Sequence, residues 1–222
     1  MWQFIEDRRH QLLYDGFQHV YLVVLAVVLA AVIAILLAMF ATRVPRIGGA
    51  VAGVATSNVL NMLTAIGLTI PGLALVGLLM PLTGIGATTA LICVCFYAVL
   101  PILRNAIVGL VGVDAALLES ARGMGMGELA VMFRIRLPLA WPVILAGIRV
   151  SLQMSMGIAA IAAYALGPGL GKDIFTGLGE LGGANALNYA LVATVGVVIL
   201  ALILDFLLVL LGRLTTSKGI RA

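Results

Sequence analysis

Few residues of this chain have the types and the spacing that chemistry at a site would need. The glycine-rich run 167–173 approaches a phosphate-binding loop, but that loop needs a Gly where Leu166 stands and a Ser or Thr where Asp173 stands. His10 and His19 have no Cys, His or carboxylate at the spacing of metal ligands, and we interpret both as polar residues at a membrane interface. The sequence therefore predicts that this chain itself binds no nucleotide, metal or other cofactor.

The cysteines and the apolar segments offer no catalytic set. Cys93 and Cys95 are two residues apart, so on a helix their side chains point about 200° apart, which favours packing over a disulfide or a metal site. We find no Ser/His/Asp combination, carboxylate pair or His-rich motif within the apolar segments. An integral-membrane enzyme, such as a protease or a phosphotransferase, is therefore disfavoured.

Two charged residues, Arg149 and Asp205, lie inside long apolar segments, where a charge is costly and is usually paired. Each is about seven residues from the same predicted end of its segment, which places both at ~10 Å depth at 1.5 Å per residue. We predict that they form an intramembrane ion pair. A charge that binds substrate or acts in a gate is the alternative.

The composition indicates a membrane protein. Of the 222 residues, 63% are hydrophobic and only 10% are charged, and residues 47–103 hold no Asp, Glu, Lys or Arg. A soluble domain has about a quarter of its residues charged, so lipid is the solvent that this pattern indicates. The charges at residues 6–9 are unlike a cleavable signal peptide, so the first span should be retained. Because the basic residues are scattered among loops, the net charge of +4 does not indicate a nucleic-acid partner.

Apolar runs of ~20 residues predict an all-α, polytopic membrane protein with about five transmembrane helices in a single domain over residues 1–222. The second span is unusually long, so we expect a kink or a lead-in outside the membrane before Val59. Residues 104–141 form the longest polar loop, and residues 1–16 are a candidate amphipathic helix on the outer surface. The predicted spans cover residues 20–41, 47–80, 85–103, 142–165 and 187–211.

The distribution of basic residues predicts the orientation. With five spans, one side would hold Arg43, Arg46, Arg104, Arg122, Arg134, Arg136, Arg149, Arg213, Lys218 and Arg221. The other side would hold Arg8, Arg9 and Lys172. Short cytoplasmic loops carry an excess of Lys and Arg, so the N-terminus is predicted outside, with the loop 104–141 and the C-terminus in the cytoplasm.

The loop 104–141 is predicted to contain a pair of short helices. Asp114 is a plausible N-cap for a helix over 115–122, and the three glycines that follow allow a close turn. A second short helix over 128–136 should stop before Pro138. An apolar stripe that could fit a partner's groove is formed by Leu117, Leu118, Ala121 and Met124.

Residues in this loop resemble the EAA signature of bacterial ABC importer permeases, with Ser120 in place of one alanine. Both fixed spacings of that signature are met by Glu119, Ser120, Ala121, Gly125, Ile135, Leu137 and Pro138. The resemblance implies a methionine-permease-like fold, and it implies that these residues form a coupling helix that docks on a cytoplasmic ATPase. A plain solvated loop with positive-inside charge is the alternative.

Further segments resemble permeases for osmoprotectants, such as the quaternary amines glycine betaine, choline and carnitine, or proline. They are residues 60–71, 100–105, 113–126 and 167–171, together with Asp205. The resemblance implies an importer in the bacterial inner membrane with an ATPase dimer that binds ATP and magnesium, a second permease copy or paralogue, and an external solute-binding protein. The run 167–171 would meet that binding protein or be a plain turn. The alternatives are a permease for another small solute, such as an amino acid, and an ion-coupled carrier or channel.

Overall fold

The structure is a computed structural model that describes residues 1–42 and 50–216, with side chains from residue 58 in the second range. The predicted start of the second span at residue 47 lies outside these residues, as do Arg43, Arg46, Lys218 and Arg221. All regular structure within the described residues is helical, which confirms the predicted all-α class.

Nine α-helices and two short turns of other helix types make up the described chain. The α-helices are α1 (Trp2–Ala41), α2 (Ala50–Thr69), α3 (Gly72–Thr83), α4 (Ala87–Val111), α5 (Ala115–Gly123), α6 (Glu128–Val131), α7 (Leu137–Ala162), α8 (Gly171–Gly179) and α9 (Ala186–Thr215). A π-helical turn, Met132–Arg136, joins α6 to α7, and a 3₁₀ turn, Ala163–Ala165, follows α7. Helices α4, α7 and α9 correspond to the third, fourth and fifth predicted spans. Each extends beyond its span at one end or both, because a helix need not end where the apolar sequence ends.

Contacts at one end of the bundle gather four helix ends. The Arg136 guanidinium donates hydrogen bonds to the backbone carbonyl oxygens of Leu110 in α4, at 2.7 Å, and of Thr42, directly after α1, at 3.5 Å. Trp141, near the start of α7, donates from Nε1 to the Thr215 hydroxyl at the end of α9, at 2.8 Å. Because α5 and α6 lie between α4 and α7, we call this the α5–α6 end.

Contacts at the opposite end, which we call the α8 end, show how many times the chain crosses the bundle. The Gly86 N–H, before α4, donates to the Ala165 carbonyl after α7, at 2.8 Å. The rings of Phe4 in α1 and Tyr189 in α9 lie 4.9 Å apart. Since α1 finishes at the α5–α6 end and α4 starts at the α8 end, α2 and α3 together cross the bundle once. The bundle therefore has five crossings, consistent with four apolar helices and one bent pair.

The crossing made by α2 and α3 is bent because of a proline. The axes of α2, from Asn58 onward, and α3 meet at 92°. Pro71 has no N–H to donate and disfavours a helical conformation at Ile70. The Ile70 carbonyl that is freed by the break accepts a hydrogen bond from the Tyr97 hydroxyl of α4. The stretch predicted as one long span over 47–80 is thus two helices in the structure, and the second continues to Thr83.

The first helix is longer than its predicted span. α1 has 40 residues, about 60 Å at 1.5 Å per residue, and Gly16 is its only glycine, with no proline. Residues 2–19 therefore continue the spanning helix without a break instead of forming a separate helix on the surface.

Helices α4 and α7 form the centre of the bundle, and their backbones approach closely at a small residue. A Cβ atom added at Gly147 would lie 2.6 Å from the Asn105 Cβ atom, a distance that real side chains do not adopt. The Ser151 hydroxyl, one turn further along α7, donates to the Ala98 carbonyl of α4 at 2.9 Å. This packing fixes the position of α7, which carries Arg149 of the predicted ion pair.

Candidate functional site

Helix α5 begins at the predicted N-cap. The Asp114 backbone is extended, with φ −53° and ψ 127°, and its Oδ1 accepts a hydrogen bond from the Ala116 N–H at 2.9 Å. This bond satisfies one of the free N–H groups at the helix start, which is the reason that Asp is favoured at this position. The helix spans Ala115–Gly123, one residue longer than the sequence predicts.

The turn after α5 requires glycine at position 125. Gly125 has a φ of +81°, in the left-handed region. Its N–H donates to the Arg122 carbonyl at 2.8 Å, and the Met126 N–H donates to the Ala121 carbonyl at 3.1 Å. These two bonds form a Schellman motif, in which any other residue would be strained by roughly 1–2 kcal/mol. The glycine of the EAA-like pattern therefore has a local structural cause.

The prediction that the second short helix stops before Pro138 is wrong. Helix α6 passes into the π-helical turn Met132–Arg136 and then directly into α7, with Pro138 in the first turn of α7. Pro138 has no N–H to donate, and it lies just after the π-helical turn, where the regular α-helical hydrogen-bond pattern is already interrupted. The π-helical turn was missed because no residue type in this stretch marks such a turn.

The α5–α6 segment, residues 114–136, presents apolar side chains to solvent. Of the predicted stripe, Leu117 and Met124 are exposed, Leu118 is half-buried and Ala121 is buried. Leu129 adds to the exposed apolar surface from α6, whereas Phe133, on the π-helical turn, is exposed beside apolar side chains of α1, α7 and α9. Three large apolar side chains are therefore exposed on one short segment, which is a feature of protein-interaction surfaces.

The residues of the EAA-like pattern fall into two groups in the structure. The first group lies on α5 and its turn, where Glu119, Ser120 and Gly125 are exposed while Ala121 is only 1% exposed. The second group lies on the π-helical turn and the start of α7, where Ile135 and Leu137 are half-buried and Pro138 is exposed. The segment thus connects a surface at the end of the bundle to the central helix α7.

Arg149 and Asp205 face each other between α7 and α9. The Arg149 Nε donates to Asp205 Oδ1 at 2.9 Å, and its Nη2 donates to Asp205 Oδ2 at 2.8 Å, which is a bidentate arrangement. Gln153, one turn further along α7, lies near the same carboxylate and interacts with it electrostatically. The structure thus brings the two charged residues together and adds an amide that sequence reasoning left out.

A second polar cluster, at the α8 end, was not predicted from the sequence. The Arg8 Nη2 lies 3.2 Å from Asp173 Oδ1, and the Lys172 Nζ lies 2.5 Å from Asp15 Oδ1. Asp15 and Asp173 are 1% and 3% exposed, so both carboxylates are inside the protein. Desolvation raises the pKa of the Asp173 carboxyl above its ordinary value, and this effect outweighs the opposing charge of Arg8.

His19 belongs to the same region of α1 and corrects another prediction. Its side chain is fully buried, and its Nε2 lies 3.1 Å from the Met156 carbonyl oxygen of α7. The prediction that His19 is an interfacial residue is therefore wrong, while His10 is exposed. Across residues 1–42 and 50–216, no three His, Cys, Asp or Glu side chains form a group that could hold a metal ion.

These features define a polytopic membrane protein with an apolar projection at one end. Residues 34–217 match the family model described as the binding-protein-dependent transport system inner membrane component. The chain therefore belongs to this family, and it is a transport component rather than an enzyme.

Individual relatives agree with this membership. The chain is 37% identical over 221 residues to the glycine betaine/carnitine/choline transport system permease protein OpuCB of Bacillus subtilis, covering 100% of this chain and 96% of the relative. It is 36% identical to the choline transport system permease protein OpuBB of the same organism, covering 99% and 95%. The fold is similar to a chain of the inward-facing MetNI methionine ABC transporter, with a TM-score of 0.77 and 22% identity over 96% of this chain and 99% of that one. The predicted resemblance to ABC importer permeases is confirmed.

Proposed function

We propose that this chain is the membrane-spanning permease subunit of an ATP-driven importer for a quaternary-amine osmoprotectant, such as glycine betaine, choline or carnitine. The observation that carries the solute assignment is the similarity to OpuCB and OpuBB over nearly the whole length of all three chains. These relatives are named for the transport of such solutes. A match limited to part of the chain would support only the general class of permease.

The α5–α6 segment docks on a cytoplasmic ABC ATPase dimer, which binds the ATP and the magnesium. Its exposed apolar side chains fit this role, as do the exposed Glu119, Ser120 and Gly125. Ala121 is buried, so its contribution is to let α5 pack closely rather than to touch the partner. Ile135, Leu137 and Pro138 pass the motion of the segment to α7, because no loop separates them from that helix.

The importer is completed by a second permease copy or paralogue and by a solute-binding protein outside the inner membrane. The α5–α6 end faces the cytoplasm, and the α8 end faces outward. Arg104, Arg122, Arg134 and Arg136 support this orientation, since they precede or lie within the segment at the α5–α6 end. One bundle of five crossings is too small to enclose a path for the solute, so the second permease supplies the other wall of that path.

Replacing Gly125 tests the docking role. Gly125→Asp places a side chain at a φ of +81° and a charge on the docking surface, so ATP-dependent uptake and co-purification of the ATPase should both be lost while the chain still inserts. Gly127→Asp is the matched control, because Gly127 lies in the same segment with a φ of −68° and open space around it. Normal transport by Gly125→Asp would rule out the coupling role.

Uptake by the whole importer tests the solute. Proteoliposomes that hold the permeases and the ATPase, supplied with the binding protein, should accumulate glycine betaine, choline or carnitine only when ATP is present. Uptake of an amino acid in preference to these solutes would assign the importer to another small solute. Uptake without ATP would favour the ion-coupled carrier or channel.

A further inference from the structure

The two sides of the contact between α7 and α9 differ in polarity. On one side, α1, α7 and α9 enclose an open groove of about 720 Å³ whose lining side chains are apolar or aromatic, among them Val28, Leu36 and Leu204. Such a surface suits lipid tails, since it leaves no charged or amide group without a partner.

The other side carries a stripe of four exposed residues along α7, of which Gln153 is polar and the other three are apolar. Ala146, Val150, Gln153 and Gly157 are exposed and recur every three or four residues, so they share one face of the helix. Gln153 lies ~24 Å from the start of α7, near the middle of a helix of ~39 Å. An added Cβ atom at Gly157 would meet nothing within 4 Å, so the face is open there.

The ion pair stands at the edge of this stripe. The Arg149 and Asp205 side chains are 39% and 20% exposed, and the exposed Gln153 side chain lies near the same carboxylate. A partly exposed ion pair and an exposed amide at this depth are costly against lipid, where unsatisfied polar groups have no water to bind. This side of α7 is therefore better matched to a water-filled space than to lipid tails.

We propose that the α7 stripe, residues 146–157, lines the path that the solute takes through the membrane, and that Gln153 contacts the solute there. This inference rests on the proposed permease function. Arg149 and Asp205 are positioning residues, because the carboxylate that accepts both Arg149 hydrogen bonds lies next to the Gln153 side chain. The cluster has no net charge, so a cationic solute meets a polar surface without being trapped by an unpaired opposite charge.

Cysteine accessibility in the assembled importer tests the inference. In a background with Cys93 and Cys95 replaced by Ala, Gln153→Cys should react with a membrane-impermeant methanethiosulfonate that carries a trimethylammonium group. Leu36→Cys is the matched control, since Leu36 is exposed in the apolar groove. We expect Gln153→Cys to react at least about tenfold faster than Leu36→Cys, and saturating solute should slow its reaction. Equal rates for the two variants, with and without ATP, would overturn the inference.

Uptake kinetics separate a solute contact from a structural role. Gln153→Leu should raise the KM for uptake at least about fivefold, with unchanged co-purification of the ATPase, and Gln153→Asn should restore most of the loss. If the parent importer works and Gln153→Leu keeps its KM, the role of Gln153 falls while the permease function stands. If the parent shows no ATP-dependent uptake of quaternary amines, the proposed solute falls, and fast labelling of Gln153→Cys would still support a water-filled path.

Discussion

At the scale of residues, the Arg149–Asp205 pair makes each partner depend on the other. Both Asp205 oxygens are used by Arg149, and the pair lies within two spanning helices. If one partner is removed, the other keeps a partly buried charge that has lost its main compensation. Each single replacement should therefore lower the stability of the protein more than the double replacement does.

A charge swap tests this dependence. Arg149→Asp alone and Asp205→Arg alone should each lower stability by about 2 kcal/mol, less than a fully buried pair because both side chains are partly exposed. The double variant should recover most of the loss, as judged by thermal unfolding of the purified permease in detergent. Failure of the swap to improve on either single variant would indicate that the two residues do not act chiefly as a pair.

Residue-level predictions succeeded where the cause was local. The Asp114 cap follows from a carboxylate within reach of free N–H groups, and a glycine turn after α5 follows from the run of glycines. The polar cluster at the α8 end was missed because Arg8 and Asp15 are more than 150 residues from Lys172 and Asp173 along the chain. Only the packing of α1 against α8 brings them together.

At the scale of elements, composition predicted the number of crossings, but it did not predict where a helix bends or changes type. The break at Ile70 and Pro71 depends on two features. One is the proline, and the other is a donor on another helix, the Tyr97 hydroxyl, for the freed Ile70 carbonyl. The π-helical turn at Met132–Arg136 has no sequence marker, and its continuity with α7 makes the α5–α6 segment part of a long helical unit. Helix ends were also displaced, since apolar character marks the hydrocarbon layer and not the end of a helix.

The close approach of α4 and α7 predicts a steric effect at Gly147. Gly147→Ala would place a Cβ atom 2.6 Å from the Asn105 Cβ atom, so the two helices must move apart, at a cost of about 1–3 kcal/mol. Gly77→Ala is the control, because an added Cβ atom on α3 meets nothing within 4 Å. Thermal unfolding in detergent should show a lower midpoint for Gly147→Ala alone. An equal effect of both substitutions would show that loss of glycine, rather than contact between α4 and α7, is responsible.

At the scale of the whole molecule, the contacts between helix ends impose an odd number of crossings. The start of α1 and the end of α9 therefore lie at opposite ends of the bundle. The excess of basic residues at the α5–α6 end supports the proposed direction of the bundle, with that end in the cytoplasm.

A reporter fused after Thr216 tests that direction. A fluorescent protein that matures only in the cytoplasm should be bright at this position, and alkaline phosphatase, which is active only after export, should be inactive there. An active phosphatase together with a dark fluorescent fusion would reverse the proposed orientation and would place the α5–α6 segment out of reach of an ATPase.

The length and fastening of α1 have a mechanical consequence. Near the α8 end, Asp15 is tied to Lys172 and His19 to the Met156 carbonyl, while at the other end Arg136 holds the Thr42 carbonyl directly after the helix. Between these ties, α1 has no proline and no hinge. It is therefore a continuous rod that connects the two ends of the bundle, so a tilt imposed through Arg136 at one end is expected to move the other end in the opposite direction.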